Sequence, residues 1–333
     1  MSLIVVRDLR KTYRVRQATE GFLQGLASVI GSGTTEVRAV DGVSFVIEPG
    51  ECVGYLGPNG AGKSTTIKVL TGILVPSGGS VTVAGLTPWR QRMQNARQIG
   101  VVFGQRTQLY WDLPLMHSFE MLQHIYGIPK ARYESTLGEF RGLFGLDEFI
   151  RTPVRQLSLG QRMRGDLVAA MLHEPTILYL DEPTIGLDLV AKDQILENIA
   201  TLNRVKGITV LLTTHNLAEV ERLCRRIILI HQGRILHDGD LEAFKQKHAP
   251  FRTLVVHLAH PAPPVIRPLP GADIAVVARD RLEVRFPRGV SPQNLIREIA
   301  GTFEVRDLAI EEASLEGVLR ELYREPPAEA ASR

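Results

Sequence analysis

A glycine-rich segment between an apolar run and a helix-like stretch has the residue types needed to bind phosphate groups. The segment fits the pattern Gly-x-x-x-x-Gly-Lys-Ser/Thr, and it consists of Gly57, Pro58, Asn59, Gly60, Ala61, Gly62, Lys63, Ser64 and Thr65. Glycines let the backbone curl so that successive N–H groups point at one centre, which also faces the positive end of the next helix. In such a loop the lysine reaches the β- and γ-phosphates, and the serine hydroxyl reaches Mg²⁺. The segment therefore predicts binding of a nucleoside triphosphate.

Two consecutive acids, Asp181 and Glu182, follow the apolar run 176–180. Ligands of an open parallel sheet bind beyond the carboxyl ends of its strands, so we expect these acids beside the phosphates. Asp181 is expected to hold Mg²⁺, directly or through water, and Glu182 to polarise the attacking water. Strand ends often carry solvated acids, but the phosphate-binding segment in the same chain favours the catalytic interpretation.

The remaining pattern predicts an α/β architecture with a smaller α+β domain after it. From residue 1 to about 240, short β-branched runs alternate with helical patterns, which indicates a parallel core sheet with an antiparallel β subdomain beside it. Helical patterns dominate between about 107 and 170 and predict an inserted helical subdomain. Residues 241–333 predict a C-terminal α+β domain, with one strand over 272–287 and a last helix over 314–323.

The segment 17–36 separates the first two strands by more than a hairpin needs. Within it Phe22, Leu26, Val29 and Ile30 fall on one helical face. This face either packs on the protein's own sheet or contacts a membrane surface or a partner.

Composition limits the classes of function. The chain has 333 residues, of which 44% are apolar and 23% charged, as expected for a globular protein of two domains. A formal net charge of +3 gives no argument for nucleic acid as a partner. Cys52 and Cys224 lack neighbours at metal-ligand spacing, so we interpret both as buried small hydrophobes in a reducing compartment.

Membrane-directing segments are not expected. The N-terminus becomes charged too early for a signal peptide, and no apolar run approaches the roughly 18 residues of a membrane span. If the protein acts at a membrane, other chains must supply the spanning part.

The sequence Leu157-Ser158-Leu159-Gly160-Gln161 resembles the signature motif Leu-Ser-Gly-Gly-Gln of the ATP-binding-cassette (ABC) ATPases. Leu159 departs from the usual glycine, whereas Ser158 and Gly160, which face the γ-phosphate in that family, remain. Four more positions resemble family residues in the same order along the chain: Tyr13 (the aromatic that stacks on adenine), Gln105 (the coupling-loop glutamine), Asp188 (the dimer-contact loop) and His215 (the switch histidine). The resemblance covers residues 1 to about 240.

The resemblance implies a P-loop NTPase fold of the ABC type and an ATPase that uses ATP and Mg²⁺. It also implies two cassettes, as a homodimer, packed head to tail with ATP between the phosphate loop of one and Ser158–Gln161 of the other. Glu182, His215 and Gln105 would be the catalytic residues, with Ser64, Asp181 and Gln105 around Mg²⁺. The expected partner is a transmembrane permease at the cytoplasmic face of the cell membrane, and no nucleic acid is expected.

The stretches 104–114 and 314–319 resemble ATPase subunits of bacterial exporters of the drug- or viologen-exporting kind, so export is the expected direction. An importer ATPase with a regulatory C-terminal domain shares the catalytic residues and stays an alternative. A soluble cassette ATPase acting on ribosomes or DNA is a second alternative, although such proteins usually carry two cassettes or long coiled coils. A regulator that binds nucleotide without hydrolysis is a third, and Glu182 argues against it.

Overall fold

The computed structural model describes most of the chain, which divides into two compact units. The described residues are 2–16, 34–104, 106–262, 269, 271–312, 319, 322 and 323. The first unit is Met1–Gly239 and the second is Asp240–Arg333. Gln105, most of the segment 17–36 and most of the expected helix 314–323 lie outside the described residues.

The strands of the first unit form two sheets. In chain order they are β1 (Ile4–Arg16), β2 (Thr34–Ile47), β3 (Cys52–Leu56), β4 (Gly78–Val83), β5 (Ile99–Phe103), β6 (Ile177–Asp181), β7 (Thr209–Thr214), β8 (Arg226–His231) and β9 (Arg234–Asp240). The larger sheet has the order β5-β6-β7-β3-β8-β9, and the smaller one the order β2-β1-β4. The expected combination of a core sheet and a smaller antiparallel sheet is confirmed.

The larger sheet positions the chemistry because its central strands are parallel. The pairs β5–β6, β6–β7, β3–β7 and β3–β8 all run in the same direction. Every residue of β7 is buried, as expected for a strand covered on both faces. The register pairs Asp181 with Thr213 and Leu56 with Thr214, so the carboxyl ends of β6, β7 and β3 meet at one edge. We call this edge the catalytic edge, because the sequence predicts the catalytic residues there.

Helices cover the larger sheet and form a separate cluster after β5. In chain order they are α1 (Lys63–Leu70), α2 (Arg92–Gln98), α3 (Leu115–Tyr126), α4 (Lys130–Phe144), α5 (Leu159–Met171), α6 (Leu189–Lys206) and α7 (Leu217–Leu223). The buried rings of Phe119, Phe140 and Phe144 lie on α3 and α4 of the helical cluster. Helix α5 also packs on β5, since a Cβ at Gly100 would lie 2.4 Å from the backbone oxygen of Ala170.

The second unit is a four-stranded antiparallel sheet with helices. Its elements are α8 (Leu241–His248), β10 (Phe251–Leu258), β11 (Asp273–Ala278), β12 (Arg281–Pro287), α9 (Pro292–Thr302) and β13 (Val305–Glu312). The strand order is β11-β12-β10-β13, and Leu295 and Ile299 of α9 join its core cluster. The single strand expected over 272–287 is wrong, because the chain turns back after Ala278 and forms two paired strands.

The two cysteines, separate in sequence, meet at the start of β3. The Sγ atoms of Cys52 and Cys224 lie 3.5 Å apart, and both thiols are free. Cys224 is buried, in agreement with the sequence interpretation, whereas Cys52 is half-buried. The adjacent Cys52 thiol, together with burial, raises the pKa of Cys224.

In the described ranges of the chain, no helix has the length and apolar character needed to cross a membrane.

Candidate active site

The phosphate-binding segment links β3 to α1, and its glycines are required by geometry. Gly60 and Gly62 have positive φ angles of 82° and 108°, which favour glycine. A Cβ at Gly57 would lie 2.3 Å from the backbone oxygen of Ile230, so only glycine allows this close approach. Gly62 precedes α1 without a side chain to cap the helix, which leaves the first N–H groups of α1 available to an anion.

Lys63 is folded back onto its own loop. Its Nζ donates hydrogen bonds to the backbone oxygens of Gly57 (2.7 Å) and Pro58 (3.2 Å), and it lies 3.7 Å from Oε1 of Glu182. Burial lowers the pKa of Lys63, while Glu182 and Asp181 counter that effect. The ammonium group is therefore held between the phosphate loop and the acids that end β6.

Asp181 and Glu182 lie at the catalytic edge, as the sequence suggests they should. The Thr213 hydroxyl donates a 2.5 Å hydrogen bond to Oδ1 of Asp181, and the backbone N–H of Glu182 donates to the oxygen of Thr213. Glu182 has a positive φ of 54°, an uncommon conformation for a non-glycine residue that often marks functional sites. These contacts with β7 hold the carboxylate of Asp181 and the backbone of Glu182.

Gly104 lies against the two acids and was not predicted from the sequence as a site residue. A Cβ at this position would lie 1.9 Å from the backbone oxygen of Glu182, so glycine alone fits. The Gly104 N–H also donates to the oxygen of Asp181 at 2.8 Å. The chain is thus held against the two acids immediately before Gln105, which itself lies outside the described residues.

His215 follows β7 and lies beside Glu182. Its Nδ1 is 3.5 Å from Oε1 of Glu182, and 59% of its side chain is exposed. An imidazole and a carboxylate at this distance can together orient a water molecule and accept its proton. The structure therefore brings together Lys63, Asp181, Glu182 and His215.

The donor set at the catalytic edge suits Mg²⁺, although the described residues contain no cluster of three His, Cys, Asp or Glu side chains. Mg²⁺ prefers oxygen ligands and keeps several from water and from the phosphates of a nucleotide. The Ser64 hydroxyl at the start of α1 and the Asp181 carboxylate are oxygen donors of this kind. Ser64 and Asp181 thus fit the ion.

The signature-like residues begin α5 and contact the Asp188 loop of the same chain. Ser158 and Gln161 form a reciprocal capping box, in which each side chain accepts the other's backbone N–H. A Cβ at Gly160 would lie 2.8 Å from Cβ of Ala191, and one at Gly186 would lie 3.2 Å from Cδ2 of Leu159. Leu159 is therefore turned toward its own chain.

Asp188 lies at the start of α6, and Tyr13 lies within β1. The Asp188 carboxylate caps α6 by accepting the N–H of Ala191 at 2.9 Å. Tyr13 lies in β1 opposite Val37, half-exposed, with Nζ of Lys11 5.4 Å from its ring centroid. A half-exposed ring on a strand offers a face on which a base can stack.

A cavity of about 580 Å³ lies between the signature helix α5 and the residues that follow Gln105. Trp111, Arg106 and Arg162 line it, and the guanidinium of Arg162 lies 5.4 Å from the Trp111 ring. Asp166 also lines the cavity and was not singled out by the sequence, although an acid within the apolar part of α5 is a signal that could have found it.

Asp166 holds the residues after Gln105 against α5. Its Oδ1 accepts hydrogen bonds from the Thr107 hydroxyl (2.9 Å) and from the N–H of Gln108 (3.1 Å). Burial raises the pKa of Asp166 to about 6, against the smaller lowering effects of these hydrogen bonds and of Arg162. The signature helix and the loop carrying Gln105 are therefore joined directly.

Known proteins match a large part of this chain. A family model described as "ABC transporter" matches residues 40–185. The chain is 35% identical over 207 residues to the ABC transporter ATP-binding protein NatA of Bacillus subtilis (strain 168), covering 62% of this chain and 84% of NatA.

Two further relatives are named for resistance or export. The linearmycin resistance ATP-binding protein LnrL of B. subtilis (strain 168) is 36% identical over 200 residues, with 60% of this chain and 64% of LnrL covered. The Nod factor export ATP-binding protein I of Burkholderia pseudomallei is 38% identical over 200 residues, with 60% and 65% covered. The match thus spans slightly less than two thirds of these two relatives.

Solved structures also match this chain. One, described as the ATP-binding subunit of an ABC transporter, superposes with a TM-score of 0.61 at 29% identity, covering 74% of this chain and 93% of that one. The cassette MJ0796, solved as a dimer in a post-hydrolysis state with ADP and Pi, gives a TM-score of 0.59 at 25% identity, covering 72% and 98%.

Proposed function

Since the chain belongs to the ATP-binding proteins of ABC transporters and is an ATPase, we propose that it powers the export of a substrate through a separate membrane-embedded permease. Two copies of the chain enclose ATP head to tail, and hydrolysis opens the pair. The convergence of Lys63, Glu182 and His215 at the catalytic edge carries the hydrolysis part of this proposal, and the relatives' names carry the export part.

Binding of ATP begins with the phosphate loop. Lys63 exchanges the backbone oxygens of Gly57 and Pro58 for the β- and γ-phosphates, and the N–H groups at the start of α1 face the same anion. Tyr13 stacks on the adenine. Mg²⁺, when bound, would be held by Ser64, Asp181 and Gln105, and it neutralises charge on the phosphates.

Hydrolysis uses the pair formed by Glu182 and His215. Glu182 accepts the proton of the attacking water, and His215, 3.5 Å from Oε1 of Glu182, keeps the water and the carboxylate in line. The ammonium of Lys63 stays close to the phosphates during the attack and stabilises their charge. Each of these groups belongs to the same copy of the chain.

The second copy supplies Ser158–Gln161. These residues open α5, so their hydroxyl and N–H groups are suited to the γ-phosphate of the nucleotide held by the other copy. ATP then stabilises the closed pair, because it binds that arrangement better than the open one. Loss of the γ-phosphate removes this bridge.

Export is favoured by the names of the relatives. Docking to a permease is favoured by the apolar surface beside the Gln105 loop. LnrL and the Nod factor protein are named for resistance and export. Tyr110, Trp111 and Leu113 follow Gln105 and are 38%, 49% and 38% exposed, which offers a docking surface to a permease at the cytoplasmic face of a membrane. An importer ATPase remains the alternative, since its catalytic residues are the same.

The pairing is tested with the Glu182→Gln variant, in which ATP is bound but turned over slowly. We expect this variant to elute as a dimer in Mg-ATP and as a monomer without nucleotide. The double variant Glu182→Gln/Ser158→Arg should bind a fluorescent ATP analogue equally well yet remain monomeric, because Ser158 acts on the other copy. A double variant that still forms the dimer would refute the role of Ser158.

The direction of transport is tested in vesicles. The chain is co-expressed with the multi-span protein that copurifies with it, and the complex is placed in inside-out membrane vesicles. ATP-dependent accumulation of a candidate substrate inside these vesicles supports export. ATP-dependent loss of preloaded substrate supports the importer alternative.

A further inference from the structure

Glu219 lies on α7 and is buried although it carries a carboxylate, with only 2% of its surface exposed. A buried carboxylate is unfavourable unless hydrogen bonds and an opposite charge compensate it. The short helix that holds Glu219 is fixed on the sheet, since a Cβ at Gly54 of β3 would lie 2.6 Å from Cγ1 of Val220. The position of the carboxylate is therefore closely determined.

Three side chains from three different segments converge on this carboxylate. The Thr184 hydroxyl donates to Oε1 at 2.6 Å, and the Thr214 hydroxyl donates to Oε2 at 2.8 Å. The Nζ of Lys192 lies 2.8 Å from Oε1. Both threonines are buried, and Lys192 is largely so. The charge of Glu219 is thus paired with a cation and with two hydroxyl donors.

Each of the three segments carries a residue of the active site. Thr184 follows Glu182 by two positions, and Thr214 ends β7 immediately before His215. Lys192 lies in the first turn of α6, the helix that Asp188 caps. Glu219 is therefore the point at which the loops of the proposed base, the switch histidine and the dimer-contact residue are joined.

We propose that Glu219 is a positioning residue for ATP hydrolysis, which holds these three segments in one arrangement through Thr184, Thr214 and Lys192. This proposal rests on the catalytic roles proposed above for Glu182 and His215. Glu219 itself does not contact the phosphate loop in any described hydrogen bond or ion pair, so it acts on the chemical step and not on nucleotide binding.

The ionised carboxylate is needed because all three partners donate. In Glu219→Gln one oxygen becomes an NH₂ group, which cannot accept from a hydroxyl or from an ammonium. When the remaining oxygen serves Thr184 and Lys192, the NH₂ group faces Thr214, whose hydroxyl must change from donor to acceptor. The ammonium of Lys192 also loses its opposite charge, so the arrangement of the three segments is altered. A displacement of about 1 Å near the reacting groups is enough to slow a reaction by roughly 100-fold.

The test compares kcat and KM for Mg-ATP in purified variants. Glu219→Gln, Lys192→Met and Thr214→Val should each lower kcat by about tenfold or more, with KM changed by no more than about twofold because the phosphate loop is intact. Thr214→Ser keeps the hydroxyl and should restore most of the activity lost in Thr214→Val. Lys206→Met is the matched control on α6, since Lys206 pairs instead with Glu139.

The outcomes separate positioning from a structural role. A kcat near that of the wild type in Glu219→Gln overturns the proposal, and so does a fall in kcat that is matched by an equal loss of ATP affinity. If Glu219→Gln does not fold, Thr214→Val against Thr214→Ser decides: equal kcat values overturn the proposal, and a lower value in the valine variant supports it.

Glu182→Gln is measured in parallel to keep this proposal distinct from the proposed function. Full turnover in Glu182→Gln would remove the assigned base, whatever Glu219→Gln does. An inactive Glu182→Gln together with a fully active Glu219→Gln would refute the positioning role alone.

Discussion

Among the described residues of the first unit, the two buried carboxylates, Glu219 and Asp166, are equally withdrawn from water but differ in their partners. Glu219 is 2% exposed and Asp166 is 4% exposed. Lys192 lies 2.8 Å from Glu219, in addition to two hydroxyl donors. Asp166 accepts from the Thr107 hydroxyl and the Gln108 N–H, and burial raises its pKa to about 6. One acid is paired with a cation, and the other relies on neutral hydrogen-bond donors.

This difference distinguishes the catalytic edge from the junction between α5 and the Gln105 loop. At and near the catalytic edge an ammonium group lies beside two of the acids, since Lys63 lies 3.7 Å from Glu182 and Lys192 lies 2.8 Å from Glu219. At the junction, the buried acid changes its protonation near pH 6. Substitutions at the edge should therefore change turnover or nucleotide binding, and substitution at the junction should change the pH dependence of stability.

The largest effect is expected for Glu182→Gln. The variant should lower kcat for ATP hydrolysis by roughly 1,000-fold, because a glutamine amide cannot accept the proton of the attacking water. ATP affinity should be retained, since Lys63 and the N–H groups of α1 are unchanged. Steady-state phosphate release measures kcat, and calorimetry measures binding.

The control for Glu182→Gln is Glu197→Gln on α6, an exposed acid near Arg204 and Arg222. Surface ion pairs contribute little, so this variant should keep kcat within about twofold of the wild type. Undiminished turnover in Glu182→Gln would contradict the proposed difference between the catalytic edge and the junction. The catalytic edge would then keep its activity without its central acid.

A smaller but still large effect is expected for Lys63→Ala. Each hydrogen bond from an ammonium to a phosphate oxygen contributes about 1.5–3 kcal/mol, so ATP affinity should fall by about 100-fold or more. Lys68→Ala is the matched control, because Lys68 is exposed on the same helix and should leave affinity unchanged. Equal calorimetric affinities of the two variants would show that Lys63 does not leave its backbone partners for the phosphates.

The sequence was sufficient to predict the parts of the site that are contiguous or that end a strand. The phosphate loop and Asp181–Glu182 could be placed because a parallel sheet brings the carboxyl ends of its strands to one edge. The same reasoning supports the fold, since buried parallel strands consist mostly of apolar and β-branched residues. Strand β9 was missed because its residues 234–240 are polar and none is fully buried, so they lack the apolar pattern of a core strand.

Contacts between distant segments could not be predicted from one sequence. The links from Asp166 to Thr107 and from Glu219 to Thr184 join residues that are 59 and 35 positions apart. Gly104 gives no local sign that a side chain would collide with the Glu182 backbone. These contacts depend on how the helices are seated on the sheet, which composition and periodicity do not specify.

The smallest effect is expected for Asp166→Asn, and it is visible only through pH. The folded-state pKa of about 6 lies above 3.8, the ordinary pKa of an aspartate side chain, so folding favours the protonated acid. This contribution to the free energy of unfolding is fully present below pH 3.8. It decreases as the pH rises and is lost above about pH 6. Asparagine keeps an acceptor for Thr107 and Gln108 but does not titrate.

From pH 5 to pH 7, the free energy of unfolding of Asp166→Asn should therefore increase by about 1 kcal/mol relative to the wild type. Urea unfolding at pH 5 and pH 7 measures the free energy of unfolding. Asp112→Asn is the control, because Asp112 is exposed and paired with Arg155. If Asp166→Asn and the wild type changed in parallel with pH, Asp166 would be ionised in the folded chain over this range. The neutral donors around Asp166 would then stabilise its charge as well as Lys192 stabilises that of Glu219. The two regions would not differ in how they stabilise a buried carboxylate.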